Sequence, residues 1–259
     1  MIVDLHNHTT LCNHAEGESE EYVKKAIQNG TKYFGFSDHA PMDYDQKHRM
    51  QFSQMDKYEN SILTLKEKYK NDIDILLAYE VDFLEGFMDE KILKADVDYL
   101  IGSVHFVNKW GFDNPEFIGD YEHKDIDKIW QEYFYAIESM AKSGLFDIVG
   151  HLDLIKVFNF LPKKDVRLIA KNALKAIKKA DLVVELNMSG YRKPVKEAYP
   201  SNQLMEVISD LDIPITFSSD AHKPEQVGLF SKQITSLASE FGYNKCATFK
   251  NRDREMINF

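Results

Sequence analysis

The sequence predicts an α/β fold in which parallel strands close into a barrel. Seven short apolar runs alternate with segments of helical periodicity along the chain. Strand–helix units in series favour parallel strands joined by right-handed crossovers. A length of 259 residues is ordinary for one such barrel. Polar residues follow the apolar runs, at the edge where the catalytic groups of barrels gather.

The first predicted strand, residues 2–5, ends just before His6 and His8. Side chains alternate along a strand with a period of two, so both imidazoles are expected on one face. The later strands are predicted at residues 33–37, 73–79, 99–104, 146–149, 182–186 and 213–217.

Helical stripes of apolar residues lie between these runs. In the first helix the stripe consists of Tyr22, Val23, Ala26 and Ile27, and it stops at Gly30. The helices are predicted at residues 16–29, 55–69, 88–95, 126–142, 164–179 and 201–211. An aromatic insertion spans residues 108–123, and the tail from residue 225 reads as one or two helices with a short apolar piece at 246–249.

Composition excludes several classes of protein. A net charge of −10 without a basic run argues against a nucleic-acid partner. No apolar stretch approaches a membrane span and no signal peptide is visible, so we expect a cytoplasmic protein with no membrane partner. Cys12 and Cys246 are expected to be free thiols, with Cys12 among the histidines. No repeat or boundary divides the chain, so residues 1–259 are expected to form one domain.

Imidazoles and carboxylates collect at the ends of the predicted strands. Burying such groups unpaired costs roughly 2–7 kcal/mol each, so their convergence requires a shared partner. Divalent metal ions meet this need, because imidazole and carboxylate are ligands for zinc, manganese or iron. The candidate ligands are His6, His8, His14, His39, Glu80, His105, His151, Asp220 and His222.

The number of candidate ligands limits the number of ions. Catalytic sites use about three to four protein ligands per ion, so nine ligands suit three ions, or two ions with some groups outside the coordination sphere. Adjacent divalent ions activate water and clamp the attacking and leaving oxygens of an in-line displacement. This favours phosphoester hydrolysis, with amide or cyclic-amide hydrolysis as a chemically close alternative.

A set of short motifs resembles the PHP superfamily, named for polymerase and histidinol phosphatase. The motifs are Asp4-Leu5-His6-Asn7-His8, Ser37-Asp38-His39, the strand ending at Glu80, Ser103-Val104-His105, Gly150-His151 and Ser219-Asp220-Ala221-His222. The resemblance runs from residue 3 to about residue 228. The segments 150–156, 185–190 and 199–201 resemble the histidinol-phosphate phosphatase branch in particular.

The resemblance implies a distorted (β/α)7 barrel with the active site at the carboxyl ends of the strands and three divalent ions. It implies hydrolysis of L-histidinol phosphate in histidine biosynthesis. It places His6, His8, Glu80 and Asp220 on one ion, lets Glu80 bridge to a second ion held by His105 and His151, and assigns His14, His39 and His222 to the third. Two departures from the family are Ala78, where glycine is usual, and Lys156, where arginine is common.

Several residues are candidates for contact with a phosphate monoester. Arg192 is the expected phosphate clamp, with Lys156 as its partner, although both are also consistent with surface cations. Arg49 is a further phosphate candidate. Asp38 is expected to orient an imidazole, and it is also a candidate acid for the leaving group.

Acidic or aromatic residues are candidates for contact with the parts of the substrate other than its phosphate. Glu16, Glu18 and the acidic loop 113–122 are candidates for its ammonium and imidazole groups, while Trp110 and Phe112 either cover the site or form the core of the insertion.

Two other functions stay open on the sequence alone. One is a related phosphoesterase that acts on nucleotides or other small phosphoesters. The other is a metal-sensing or partner-binding barrel without turnover.

Overall fold

Eleven strands and seven α-helices follow one another along the chain, and the computed structural model describes all 259 residues. The strands are β1 (Val3–Asp4), β2 (Tyr33–His39), β3 (Asp74–Asp82), β4 (Tyr99–Ser103), β5 (Phe106–Val107), β6 (Trp110–Gly111), β7 (Ile148–Val149), β8 (Val183–Asn187), β9 (Ile215–Ser218), β10 (Lys245–Lys250) and β11 (Asp253–Asn258). The helices are α1 (Ser19–Gln28), α2 (Met55–Lys68), α3 (Glu90–Leu93), α4 (Ile126–Ser143), α5 (Val166–Lys179), α6 (Asn202–Asp210) and α7 (Ser231–Glu240).

Seven strands form one sheet in the order β1-β2-β3-β4-β7-β8-β9, and every neighbouring pair is parallel. The two edges of the sheet meet, because the backbone N–H of Leu5 donates to the carbonyl of Phe217 (3.0 Å) and that of His8 donates to Ala221 (3.0 Å). The strands are uneven, from two residues in β1 to nine in β3. These features confirm the predicted distorted seven-stranded α/β barrel.

One tyrosine reaches across the inside of the barrel. Tyr99 of β4 is fully buried, and its hydroxyl donates to the carbonyl of Leu5 just beyond β1. This path passes Gly35 of β2, where an added Cβ would lie 1.7 Å from the tyrosine oxygen. Gly35 therefore leaves the space that Tyr99 occupies.

The longest helix shows how the outer layer is built. Asp125 caps α4 by accepting from the backbone N–H of Lys128 (3.3 Å), and the helix ends at Gly144, whose φ of 69° suits glycine. One face of α4 is buried and contributes Ile129, Trp130, Tyr133, Phe134, Ile137, Met140 and Ala141 to the core. That core is a single cluster of 69 buried residues that extends from Val3 to Phe249. No helix combines the length and hydrophobicity needed to cross a membrane.

The tail differs from its prediction. Helix α7 fits the expected helical tail, but the apolar piece at 246–249 belongs to an antiparallel hairpin of β10 and β11. Its turn residues Asn251 and Arg252 both have positive φ angles, 49° and 71°, without a glycine to signal the turn. The hydroxyl of Thr216 donates to the carbonyl of Ala247 (2.8 Å), which ties the hairpin to β9.

The aromatic insertion carries its own small core. Phe112 is fully buried against Tyr133, with ring centroids 5.4 Å apart, and Trp110 packs on Tyr121 at 4.7 Å. Neither Trp110 nor Phe112 lines the cavity, so both rings form the core of the insertion and do not cover the site.

Candidate metal centre

Glu80 at the carboxyl end of β3 is the centre of the cluster. Its side chain is almost completely buried. One oxygen, Oε2, lies 3.2 Å from His6 Nε2 and 2.8 Å from His39 Nδ1. The other, Oε1, lies 2.8 Å from His151 Nε2 and 3.7 Å from His105 Nε2. One carboxylate thus joins imidazoles from four separate strand ends.

A second carboxylate extends the cluster toward the barrel mouth. His8 Nε2 lies 3.3 Å from Asp220 Oδ1 and 3.8 Å from Glu80 Oε2. Beyond it, His222 Nε2 and His14 Nε2 face each other at 3.0 Å. The structure therefore brings all nine predicted ligands into one neighbourhood.

The potential ligand atoms fall into groups that correspond to the three predicted sites, apart from Asp220, which belongs to none of the groups. Within each group the atoms lie no more than 4.8 Å apart. Three of these groups are His6, His8 and Glu80; Glu80, His105 and His151; and His14, His39 and His222. A fourth group joins the buried Cys12 to His8 and His222, which places this thiol beside the cluster as expected.

The geometry fits divalent ions better than it fits hydrogen bonds alone. His6 Nε2, His8 Nε2, His39 Nδ1 and Glu80 Oε2 are buried and have no hydrogen-bond partner. Two ligands of a tetrahedral ion, each about 2.1 Å from it, stand about 3.4 Å apart. The separations of 3.2, 3.3 and 3.8 Å around His6, His8 and Asp220 are of this size.

The charges also suit a cation. Burial works against an ionised Glu80, but the neighbouring His6 and His39 outweigh it and hold the pKa of this carboxyl well below its usual range. Burial likewise opposes protonation of His8, yet hydrogen bonds to Asp220 and Asp38 raise its pKa to about 9. These carboxylates create a negative potential that attracts either protons or metal ions.

The outer imidazoles are in the protonation state that binds metal. Burial lowers the pKa of His14 to about 3, and burial lowers that of His222 well below its usual value. Both rings are therefore neutral near pH 7, and neutral imidazole is the ligating form.

Three buried carboxylates fix the orientation of the histidine rings. His6 Nδ1 donates to Glu185 (2.7 Å), His8 Nδ1 to Asp38 (3.2 Å) and His105 Nδ1 to Asp82 (2.7 Å). Each bond turns the Nε2 atom of the ring toward Glu80, an arrangement typical of histidines that ligate metals.

Sequence reasoning found Asp38 but missed Asp82 and Glu185. A signal was present for both, since Asp82 lies two residues after Glu80 and Glu185 two residues before Asn187, which places each pair on one strand face.

Asp220 is held in an unusual backbone conformation, with a φ of 48°. Its side chain accepts from Asn187 Nδ2 (3.2 Å), and its carbonyl accepts from Arg192 Nη2 (2.8 Å). These contacts offset the strain and keep the carboxylate aimed at His8.

Arg192 connects the cluster to open space. Its Nη2 group donates to the carbonyls of Ser219 (3.0 Å) and Asp220, whereas Nη1 is buried without a partner. The side chain lines a cavity of about 510 Å³. Twenty-two residues line this cavity: His14, His39, Asp45, His48, Arg49, Glu80, His105, Phe106, Gly111, Asp113, Asn114, Pro115, Phe117, His151, Leu154, Val157, Ser189, Arg192, Lys193, Asp220, His222 and Gln226.

Comparison with known proteins agrees with this geometry. Residues 4–189 match the family model of the PHP domain, which covers well over half of the chain. The chain belongs to the PHP domain family.

Several relatives of this PHP protein are named as histidinol-phosphatases. The chain is 38% identical over 257 residues to the "Probable histidinol-phosphatase" of Deinococcus radiodurans, with 97% of each chain covered. It is 28% identical to the "Histidinol-phosphatase" of Bacillus subtilis, with 87% of this chain and 95% of the relative covered. It shares its fold with a crystal structure of histidinol phosphate phosphatase from Lactococcus lactis complexed with zinc, L-histidinol and phosphate, with a TM-score of 0.83 and 22% identity over 98% of both chains.

Two predicted substrate contacts of the PHP protein lie elsewhere. Lys156 is almost fully buried, and its ammonium donates to Glu197 (2.8 Å) and the Ala198 carbonyl (2.7 Å) and pairs with Asp153 (3.1 Å). Glu16 is exposed and pairs with Lys223 (2.8 Å). Neither side chain lines the cavity, so the structure does not support either as a phosphate or substrate contact.

Asp38 and Arg49, the other two predicted contacts, form hydrogen bonds and ion pairs within the protein. Asp38 is fully buried, accepts from His8, from both donors of Thr9 and from the His39 N–H, and does not line the cavity. Its orienting role is supported, and its role as acid for the leaving group is not. Arg49 reaches the cavity wall but pairs with Asp82 (2.9 Å).

Proposed function

We propose that this protein is a metal-dependent phosphomonoesterase that hydrolyses L-histidinol phosphate to L-histidinol and phosphate, a step of histidine biosynthesis. The observation that carries the proposal is the convergence of nine potential metal ligands, seven of which line one cavity together with Arg192, whose Nη1 has no hydrogen-bond partner. The names of the relatives support the choice of substrate.

The donor atoms suit three divalent ions, of zinc, manganese or iron. His6, His8 and Asp220 would hold the first ion, His105 and His151 the second, and His14, His39 and His222 the third, with Glu80 shared between the first two. Such ions supply Lewis-acid stabilisation of the phosphoryl oxygens and a nucleophilic oxygen at neutral pH.

The protein itself supplies orientation and charge. Arg192 donates through Nη1 to a phosphate oxygen, and its Nη2 bonds to Ser219 and Asp220 hold the guanidinium in place. The charge spread over the equatorial oxygens in the transition state strengthens this bond. Glu185, Asp38 and Asp82 keep the histidine rings fixed while the reaction proceeds.

Two further features support the proposal: an apolar part of the cavity wall and the state of the two cysteines. Phe106, Phe117, Leu154 and Val157 give the wall an apolar part that limits the water around the phosphate. Both cysteines are buried and free, which fits the reducing cytoplasm as the place of action.

The test is a phosphate-release assay on metal-stripped protein reloaded with zinc, manganese or iron. The panel contains histidinol phosphate, nucleoside monophosphates, small sugar phosphates and a phosphodiester. The proposal predicts that histidinol phosphate is preferred by at least about 100-fold in kcat/KM, an advantage of roughly 2.7 kcal/mol in transition-state binding. A better nucleotide substrate would contradict the substrate assignment, and no phosphate release from any compound would contradict hydrolysis itself.

A further inference from the structure

Four carboxylates line the cavity, and three of them are already engaged. Glu80 and Asp220 belong to the metal cluster. Asp45 pairs with His48 at 2.9 Å. Asp113 alone forms no ion pair and accepts no hydrogen bond, so its negative charge is free to meet a cation in the cavity.

The backbone holds Asp113 in a defined place. The preceding residue, Phe112, is fully buried against Tyr133. The following residue, Asn114, donates its N–H to the carbonyl of Gly111 (3.2 Å) and accepts from the N–H of Glu116 (2.9 Å) through its side chain. Asp113 is therefore a half-buried residue between two anchored neighbours, which reduces the entropy lost when it binds a ligand.

The other acidic residues of the insertion do not share this position. Glu116 is exposed and pairs with Lys47 (3.4 Å), and Asp120 and Glu122 are exposed and lie outside the cavity lining. The acidic loop 113–122 thus contributes one carboxylate to the cavity.

We infer that Asp113 binds the primary ammonium group of the substrate and selects amino-alcohol phosphates over phosphates that lack this amine. The inference rests on the proposed function. The metal cluster and Arg192 receive the anionic end of such a molecule, so a free carboxylate on the cavity wall complements its cationic end. Asp113 replaces Glu16 in this role, since Glu16 lies outside the cavity.

The experiment compares two substrates in three proteins. The substrates are histidinol phosphate and 3-(imidazol-4-yl)propyl phosphate, which lacks only the amino group. The proteins are wild type, Asp113→Asn, and Asp120→Asn as a matched control in the same insertion. Asparagine keeps the shape of aspartate and removes its charge.

Loss of one charge-assisted hydrogen bond at a half-buried site is expected to raise KM for histidinol phosphate roughly 10-fold in the Asp113 variant, with kcat within about twofold. The deamino substrate and the Asp120 variant should each stay within about twofold of their wild-type values. The unchanged deamino reaction also shows that the Asp113 variant is folded.

Equal effects on both substrates, or no effect on either, would overturn the assignment of Asp113 while leaving the proposed function intact. Failure of the wild-type enzyme to hydrolyse either substrate would overturn the proposed function and this inference together.

Discussion

The substitution Glu185→Gln tests whether carboxylates behind the histidines tune the metal centre. Glu185 is fully buried and accepts three hydrogen bonds: from His6 Nδ1 (2.7 Å), from the N–H of His151 (2.7 Å) and from Asn187 Nδ2 (3.0 Å). Glutamine keeps the shape of the side chain but replaces one acceptor oxygen with an NH2 group. This NH2 group would face one of the N–H donors, so at least one of the hydrogen bonds would be lost.

The expected size of the effect follows from these contacts. A hydrogen bond to a charged group contributes about 1.5–3 kcal/mol, which corresponds to roughly 10–100-fold in an equilibrium constant. Losing the partner of a metal-ligating histidine costs about the same factor in metal affinity or activity. We therefore expect Glu185→Gln to weaken metal binding and lower kcat by about 10–100-fold.

The assay titrates metal-stripped protein with zinc or manganese against a chromophoric chelator and then measures phosphate release. Glu59→Gln is a matched control, because Glu59 accepts from the Tyr79 hydroxyl (2.9 Å) and has no contact with the cluster. Metal affinity and kcat within twofold of wild type in a folded Glu185→Gln protein would refute the reasoning.

Three further substitutions test other parts of the structure. Arg192→Ala should lower kcat/KM on histidinol phosphate by about 10–100-fold through loss of the Nη1 donor, and steady-state kinetics unchanged from wild type would remove Arg192 from the site. Lys156→Met should destabilise the fold by about 3–5 kcal/mol at pH 7, because Asp153 would be left buried and unpaired. Burial already raises the pKa of Asp153, so this deficit in urea unfolding should shrink as pH falls through that raised pKa and the native state takes up a proton; a deficit independent of pH would contradict this account. Gly35→Ala should reduce the urea midpoint because its Cβ would overlap the Tyr99 hydroxyl, and adding Tyr99→Phe should restore part of the loss; no recovery in the double variant would count against this clash.

The barrel and its potential metal ligands could be predicted from the sequence because the patterns that indicate them are local. Each parallel strand is a short apolar run, and the ligand follows within a few residues, as Glu80 and His105 do. Strand boundaries differ from the prediction: the predicted strand spans residues 146–149, but only Ile148–Val149 pair as β7.

The residues that hydrogen-bond the metal ligands could not be predicted from local patterns in the same way. The spacing of Glu185 and Asn187 predicts that both lie on one strand face, but no local pattern shows that Glu185 contacts His6, 179 residues away. Lys156 looked like a phosphate-binding cation, but the fold places Asp153 and Glu197 around its ammonium. The β10–β11 hairpin was missed because its turn uses Asn251 and Arg252 in place of glycine.

The measurement that tests the central claim most directly is the metal content of the purified protein, combined with an anomalous-difference map from its crystals. We expect three divalent ions per chain, two of them sharing Glu80 and the third among His14, His39 and His222. A protein that binds no divalent ion at these residues, or holds its ions elsewhere, would contradict the account.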